Sequence, residues 1–61
     1  MADYKLYFLD LSNDVAAAKE FECKDDDDAI AKALLFEDGR NLELWSGDRV
    51  VARMAPLHRR G

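Results

Sequence analysis

Four consecutive aspartates, Asp25 to Asp28, are the feature that most restricts how this chain can fold. Aspartate is a poor residue for a helix interior, but its carboxylate accepts hydrogen bonds from the free N–H groups at a helix N-terminus and interacts favourably with the helix dipole. The run therefore predicts that a helix begins here. Asp25 is the expected N-cap, and Asp28 stands at the N3 position, where a carboxylate can reach back toward the cap.

The residues that follow the aspartates have a helical period. At about 100° per residue their apolar side chains fall within one arc, which is typical of a helix lying on a sheet. These residues are Ala29, Ile30, Ala33, Leu34 and Phe36. Leu35 points nearly opposite this stripe. Asp38 and Gly39 predict the end of the helix, because glycine adopts the left-handed cap conformation without a Cβ penalty. The segment 24–39 is thus the one credible helix.

The segment before the helix predicts two strands. Residues 4–11 are rich in aromatic and aliphatic side chains, and alternation places apolar residues on both faces, as in a central strand that is covered twice. One face carries Tyr4, Leu6 and Phe8, and the other carries Lys5, Tyr7 and Leu9. After turn formers at 12–14, residues 15–23 predict a second strand. Its three alanines favour a bulged or irregular start, with Phe21 and Cys23 pointing inward.

The segment after the helix predicts a hairpin. Residues 41–45 and 49–54 flank Ser46-Gly47-Asp48, where Gly47 supplies a positive φ. Alternation assigns one set of side chains to the helix side, namely Leu42, Leu44, Val50, Ala52 and Met54. It assigns a second set to the opposite side, namely Glu43, Trp45, Val51 and Arg53. Pro56 is expected to end the last strand.

These elements predict an α+β fold of the order ββαββ, in which an antiparallel sheet of two hairpins carries one helix on one face. The order of the strands in the sheet stays open. Residues 1–56 are expected to form a single domain, and residues 57–61 a short, basic, disordered tail. A chain of 61 residues has a small core, and its one cysteine excludes an intramolecular disulfide. Association is therefore the expected source of extra stability.

The charge and composition exclude several classes of function. The formal net charge is −4, which argues against a broad surface for nucleic acid or anionic membrane. No basic segment precedes an apolar run, and no apolar stretch reaches about 18 residues, so neither a secretory signal nor a membrane span is expected. The sequence predicts a cytoplasmic protein, and the single thiol of Cys23 agrees with a reducing compartment.

The sequence offers no catalytic or metal-binding constellation. The aspartate run lacks the alternate ligands, central glycine and distal glutamate of a calcium loop, so helix capping is preferred to metal binding. Cys23 and His58 stand alone, whereas zinc needs three or four ligands. We expect Cys23 to be buried and His58 to be solvated in the tail. No nucleophile with a base partner and no phosphate-binding loop occurs. The sequence therefore predicts a protein that is not an enzyme and binds no cofactor.

The sheet face opposite the helix is the most suggestive surface. It carries aromatic and aliphatic side chains and an arginine, the residue types enriched at interface cores. The predicted interface residues are Tyr7, Leu9, Trp45, Val51 and Arg53. They favour an interaction module that forms a homodimer or docks a protein partner, with no identifiable small-molecule substrate. The alternative is that Trp45 packs across the open sheet on the stems of Lys5 and Arg53.

A nucleic-acid-binding accessory protein is the second functional class. Aromatic side chains on a sheet can stack on bases, and four arginines lie toward the C-terminus. They are Arg49, Arg53, Arg59 and Arg60. The sheet as a whole is not basic, which makes this the weaker hypothesis.

The chain also resembles a known group of sequences. The matching features are the opening Tyr-Lys-Leu-Tyr-Phe-Leu-Asp, Phe21-Glu22 before an acidic helix start, Asp38-Gly39, Glu43-Leu44-Trp45, Gly47, Arg49 and Val51-Ala52-Arg53. Over residues 4–54 the pattern resembles short, uncharacterised bacterial proteins that form a domain of unknown function. The resemblance implies a natural cytoplasmic bacterial domain, and it implies no activity and no catalytic residue.

Overall fold

The computed structural model describes residues 1–55, which form one four-stranded antiparallel sheet and one helix. The elements are β1 (Ala2–Leu9), β2 (Val15–Cys23), α1 (Asp26–Leu35), β3 (Asn41–Ser46) and β4 (Arg49–Met54). The strand order is β2-β1-β3-β4, and every neighbouring pair is antiparallel. The predicted α+β class is confirmed. The predictions for Pro56, for the tail 57–61 and for His58 in it lie outside the described residues.

Strand β1 lies at the centre of the sheet, as its two apolar faces predicted. It pairs with β2 on one side and with β3 on the other, so that Leu6 lies opposite both Lys19 and Leu44. Alternate residues of β1 point toward the helix and form the core with residues of the neighbouring elements. The buried cluster consists of Tyr4, Leu6, Phe8, Cys23, Ala29, Ala33, Leu42 and Leu44. The predicted burial of Cys23 is thus confirmed.

The helix begins as the aspartate run predicted. Asp25 has an extended backbone, and its Oδ1 accepts a hydrogen bond of 2.8 Å from the N–H of Asp28. Ala29 and Ala33 are buried against the sheet. The buried stripe is narrower than predicted, because Leu34 is 43% exposed.

The prediction that Asp38 and Gly39 end the helix is wrong. The helix ends at Leu35, and Phe36 is the C-cap, with its N–H bonded to the carbonyl of Ala33 at 3.0 Å. The ring of Phe36 lies 6.2 Å from that of Phe21 on β2, so the chain leaves the helical path where this side chain joins the core. Gly39 does have a positive φ of 96°, but it lies between the helix and β3.

Both hairpin turns contain a residue with positive φ. Gly47, with φ of 64°, forms the two-residue turn between β3 and β4, as predicted. Between β1 and β2, Asn13 has a φ of 65°, and the carboxylate of Asp10 accepts hydrogen bonds from the N–H groups of Ser12 and Asp14. Asparagine tolerates this left-handed conformation better than most residues do. The carboxylate of Asp10 and the left-handed backbone of Asn13 therefore define the β1–β2 turn.

One polar contact ties the start of the helix to the sheet. The hydroxyl of Tyr4 donates a 2.8 Å hydrogen bond to Oδ1 of Asp26, and the guanidinium of Arg49 donates to both oxygens of the same carboxylate at 3.1 and 3.2 Å. The hydrogen bonds from Arg49 and Tyr4 lower the pKa of Asp26. The hydrogen bond to Asp26, helped by desolvation, raises the pKa of Tyr4 to about 12.

We predict that Leu44→Ala strongly destabilises the domain. Leu44 is completely buried, and such truncations cost about 2 to 5 kcal/mol because they remove packing and leave a cavity. Leu35→Ala is the control, since Leu35 is 82% exposed and its loss should change the free energy of unfolding by less than about 0.5 kcal/mol. Urea unfolding followed by circular dichroism measures both. Equal effects would mean that the core is not where the structure places it.

We predict that Asp25→Ala lowers the free energy of unfolding by about 0.5 to 2 kcal/mol, because the N–H of Asp28 loses its acceptor. Asp27→Ala removes the same charge from the same helix turn and should have a smaller effect, since Asp27 is exposed and does not cap the helix. Thermal unfolding of the two variants compares them. A larger loss of stability in Asp27→Ala than in Asp25→Ala would contradict the role of Asp25 as the N-cap.

We predict that Tyr4 ionises late in the folded protein, near pH 12, because its phenol donates to the carboxylate of Asp26. A raised pKa in the fold means that this contribution to stability is complete below about pH 10, the usual tyrosine range. It is lost as the pH rises from there through 12. Absorbance titration at the phenolate band, in a Tyr7→Phe background, isolates Tyr4. Adding Asp26→Asn should move the Tyr4 titration down toward pH 10. An unchanged titration would show that the Asp26 carboxylate does not raise the pKa of Tyr4.

Candidate interaction surface

The sheet face opposite the helix, called the reverse face below, carries an aromatic pair framed by charged residues. By strand pairing and alternation, its residues include Asp3, Lys5, Tyr7, Leu9, Glu20, Glu22, Glu43, Trp45, Val50 and Arg53. The helix packs on the other side of the sheet, and within residues 1–55 no further helix or strand lies over the reverse face.

Tyr7 and Trp45 form the centre of the reverse face. Their ring centroids lie 6.3 Å apart with an interplanar angle of 87°, an edge-to-face arrangement that aromatic quadrupoles favour. The register produces the contact, because Lys5 lies opposite Trp45 and Tyr7 lies opposite Glu43, which makes the two aromatics diagonal neighbours. Both side chains are partly buried. The structure therefore brings together the two aromatic residues of the predicted interface.

Glu43 orients one side of the aromatic pair. Its Oε1 accepts a 3.1 Å hydrogen bond from the indole N–H of Trp45, and its Oε2 lies 3.4 Å from Nε of Arg53 on the neighbouring strand. Arg53 is opposite Glu43 in the register. The carboxylate of Glu43 thus contacts both the indole of Trp45 and the guanidinium of Arg53, a predicted interface residue.

Lys5 and Glu20 frame the other side. Their Nζ and Oε2 atoms are 3.2 Å apart, and the hydrogen bond to Glu20 raises the pKa of Lys5. The ammonium also lies 5.8 Å from the ring centroid of Tyr7. The alternative arrangement, with Trp45 packed on the stems of Lys5 and Arg53, stays open, since Lys5 lies directly opposite Trp45 in the register while its ammonium lies over the ring of Tyr7.

The prediction that Val51 lies on the reverse face is wrong. The β3–β4 register shifts between Leu44 and Trp45, so that Val51 has no partner residue and Val50 lies opposite Trp45. Such a bulge adds one residue and reverses the alternation beyond it. Val51 instead packs against the helix-side core. Val50, which the alternation assigned to the helix side, takes its place beside Trp45.

Leu9 is nearly enclosed without belonging to the helix-side core cluster. It is 9% exposed and lies two positions after Tyr7 at the end of β1. Most of its surface is therefore already covered, and its contribution to a contact with another molecule is smaller than that of the aromatic pair.

Sequence reasoning did not nominate Lys5, Glu20, Glu43 and Val50 as site residues. Alternation and opposite charge could have found Lys5 and Glu43 once their strand partners were known. Those partners depend on the register between strands that are distant in sequence. Alternation assigned Val50 to the wrong face, because a sequence such as Arg-Val-Val-Ala-Arg does not show where a bulge occurs.

The described arginines do not form a free basic patch. Each lies within 3.4 Å of a carboxylate, in the pairs Arg40–Asp38, Arg49–Asp26 and Arg53–Glu43. Arg59 and Arg60 lie outside the described residues. Among residues 1–55 no three potential metal-ligating side chains are grouped so that they could hold an ion, and no helix is long and apolar enough to cross a membrane.

No protein-family model, curated protein or solved structure matches the chain. The resemblance to short bacterial proteins therefore stays a prediction. The reverse face has to be interpreted from its own geometry and chemistry.

Proposed function

We propose that the protein is a small, non-enzymatic, cytoplasmic interaction module that associates through the reverse face around Trp45. Its partner is a second copy or another protein. The observation that carries this proposal is the Tyr7–Trp45 pair, which lies on a sheet face with no helix or strand over it in the described chain.

The chemistry of the reverse face suits an interface core. Tyrosine, tryptophan and arginine dominate binding hot spots, because they combine a large contact area with few rotatable bonds or with directional hydrogen bonding. The charges at the rim are paired within the molecule, Lys5 with Glu20 and Arg53 with Glu43. A partner that covers the aromatic pair therefore leaves none of these four charges unpaired, which would be costly.

The small core supports the same proposal. Its largest completely buried side chains are Leu6, Leu42 and Leu44. A domain of this length buries only about 60% of the surface that its unfolded chain exposes. Covering the reverse face with a second copy would add apolar burial that the monomer lacks.

The non-enzymatic part of the proposal is supported by the position of the one thiol. Cys23 is 2% exposed and belongs to the core, where no substrate reaches it. The hydroxyl of Tyr4, whose pKa is raised, is engaged in holding the helix start to the sheet.

We expect the molar mass in solution to exceed the monomer value of 6.9 kDa at high concentration and to fall toward it on dilution. Light scattering measures the mass, and fluorescence of the single tryptophan on the same samples reports on the surface. Trp45 emission should move to longer wavelength as the mass falls, because dissociation exposes its ring to water. A monomer whose Trp45 is shielded at every concentration would contradict the proposal, since the chain would then cover its own sheet.

We predict that Trp45→Ala weakens the self-association about 30-fold, the effect of losing a hot spot worth about 2 kcal/mol. Arg53→Glu should also weaken it, because a second carboxylate would then face Glu43. Leu35→Ala, on the exposed side of the helix, is the matched control and should leave the association unchanged. Circular dichroism checks that each variant folds.

A folded Trp45→Ala protein that keeps the full association would exclude the reverse face as the contact surface. A monomeric protein with a water-exposed Trp45 would exclude a second copy as the partner. The unaltered protein and the same variants would then be used as baits in a pull-down. Only capture of one defined protein that is lost in Trp45→Ala supports the proposal.

A further inference from the structure

Strand β2 is an exposed edge of the sheet. It pairs with β1 alone, and within residues 1–55 no strand lies on its outer side. Residues 15–20 are all exposed. An edge of this kind offers unpaired backbone donors and acceptors to another strand.

The phase of the β1–β2 ladder tells which residues present their backbone outward. The N–H of Asp10 donates to the carbonyl of Asp14 at 2.9 Å, so the backbone of Asp10 faces β2. In an antiparallel ladder the direction of the backbone N–H and C=O groups alternates along each strand, so these groups of the even-numbered β1 residues also point toward β2. Their partners on β2 point their own backbone groups toward β1. The N–H and C=O groups of Ala18, Glu20 and Glu22 therefore point outward.

On the reverse-face side of this edge the carboxylates outnumber the cations, while Lys19 of β2 lies on the helix side, over the ring of Phe36. Asp3 and Glu22 lie directly opposite each other in the register, on the reverse face, and neither forms an ion pair with another described residue. Like charges in this position destabilise a sheet. Glu20 is paired with Lys5, but its side chain is still 74% exposed.

These carboxylates line an open cleft of about 510 Å³. Its wall also includes Lys5, Tyr7 and Gly47. The cleft therefore combines three carboxylates with one ammonium group. No grouping of these carboxylates that could hold a metal ion occurs in the described chain. The unpaired carboxylate of Glu22 and the outward backbone groups lie on the same strand.

A second copy of β2 does not fit this edge. A two-fold antiparallel pairing centred on Lys19, Glu20 or Glu22 places that charged side chain opposite itself. Centring it on Phe21 places Glu20 opposite Glu22. Centring it on Ala18 shifts the ladder into the irregular start of β2, where the register is interrupted. Each of these self-pairings thus meets like charges or a broken ladder.

We propose that the β2 edge binds an extended cationic segment of another protein, which adds to the sheet as an antiparallel strand. Lysine or arginine side chains at alternate positions of that segment lie opposite Glu20 and Glu22, where they balance the Asp3–Glu22 pair. The added strand bonds to the outward backbone groups of Ala18, Glu20 and Glu22. This binding does not depend on self-association through the reverse face.

Amide NMR of the full chain tests the proposal with a capped peptide of sequence Thr-Lys-Val-Lys-Thr. We expect shifts centred on the amides of Ala18, Glu20 and Glu22, and affinity that falls as salt rises. The same peptide with both lysine amides N-methylated keeps its charge but loses the two donors that face β2. It should bind at least about tenfold more weakly. Equal binding of the methylated peptide would overturn strand addition.

Two double variants of equal net charge test the role of the carboxylates. Glu20→Gln with Glu22→Gln should weaken peptide binding about two- to fivefold for each lost charge. Asp27→Asn with Asp48→Asn removes two exposed carboxylates away from the edge and should change the affinity little. An equal loss of affinity in both double variants would mean that only the overall charge matters, and it would overturn the proposed site. Shifts confined to residues around Trp45 would also overturn it.

Discussion

Leu6 on β1 and Leu42 and Leu44 on β3 are completely enclosed beneath a helix of ten residues, and the other packing in the domain is arranged around this contact. Ala29 and Ala33 are the buried residues of the helix and belong to the same core cluster as these leucines, with Ile30 packed against it. Burying one such leucine contributes about 1.5 to 3 kcal/mol, and few others are available in a chain of this size. The Asp26 carboxylate, bonded to Tyr4 and Arg49, adds a directional contact at the helix start.

A single helix also determines what is left uncovered. A helix is about 10 to 12 Å wide, whereas four strands spaced about 4.8 Å apart are wider, and the helix covers one side only. Val51 and Met54 on β4 are accordingly only partly buried. The reverse face and the β2 edge remain, and they differ in chemistry. The first is centred on an aromatic pair whose neighbouring charges are paired, while the second offers unpaired backbone groups and is acidic.

The two surfaces suggest different partners for this reason. An aromatic pair with neutralised neighbours suits another apolar face, which includes a second copy of the chain. Pairing of the edge with its own copy meets like charges or the irregular start of β2, and charged edges are a common way for natural sheets to avoid uncontrolled pairing. The same charges would select a cationic strand. In the two proposals, therefore, one sheet offers two surfaces that would select different partners.

Several features could be predicted because they depend on neighbouring residues. The Asp25 cap, the strands on either side of Gly47 and the burial of Cys23 follow from local hydrogen bonding, turn chemistry and residue type. The position of Tyr7 and Trp45 on one face follows from alternation. Their contact could not be predicted, because it requires β1 and β3 to be neighbours in a particular register.

By itself, therefore, the sequence determined the class of the fold, the start of the helix and the residue types on each face of β1, since periodicity and capping act over a few residues. The tertiary structure decided the strand order, the helix end at Leu35 and the exchange of Val50 and Val51. Packing decided these features. Phe36 leaves the helical path to join Phe21 in the core, and a bulge in the β3–β4 ladder turns Val51 toward the helix side.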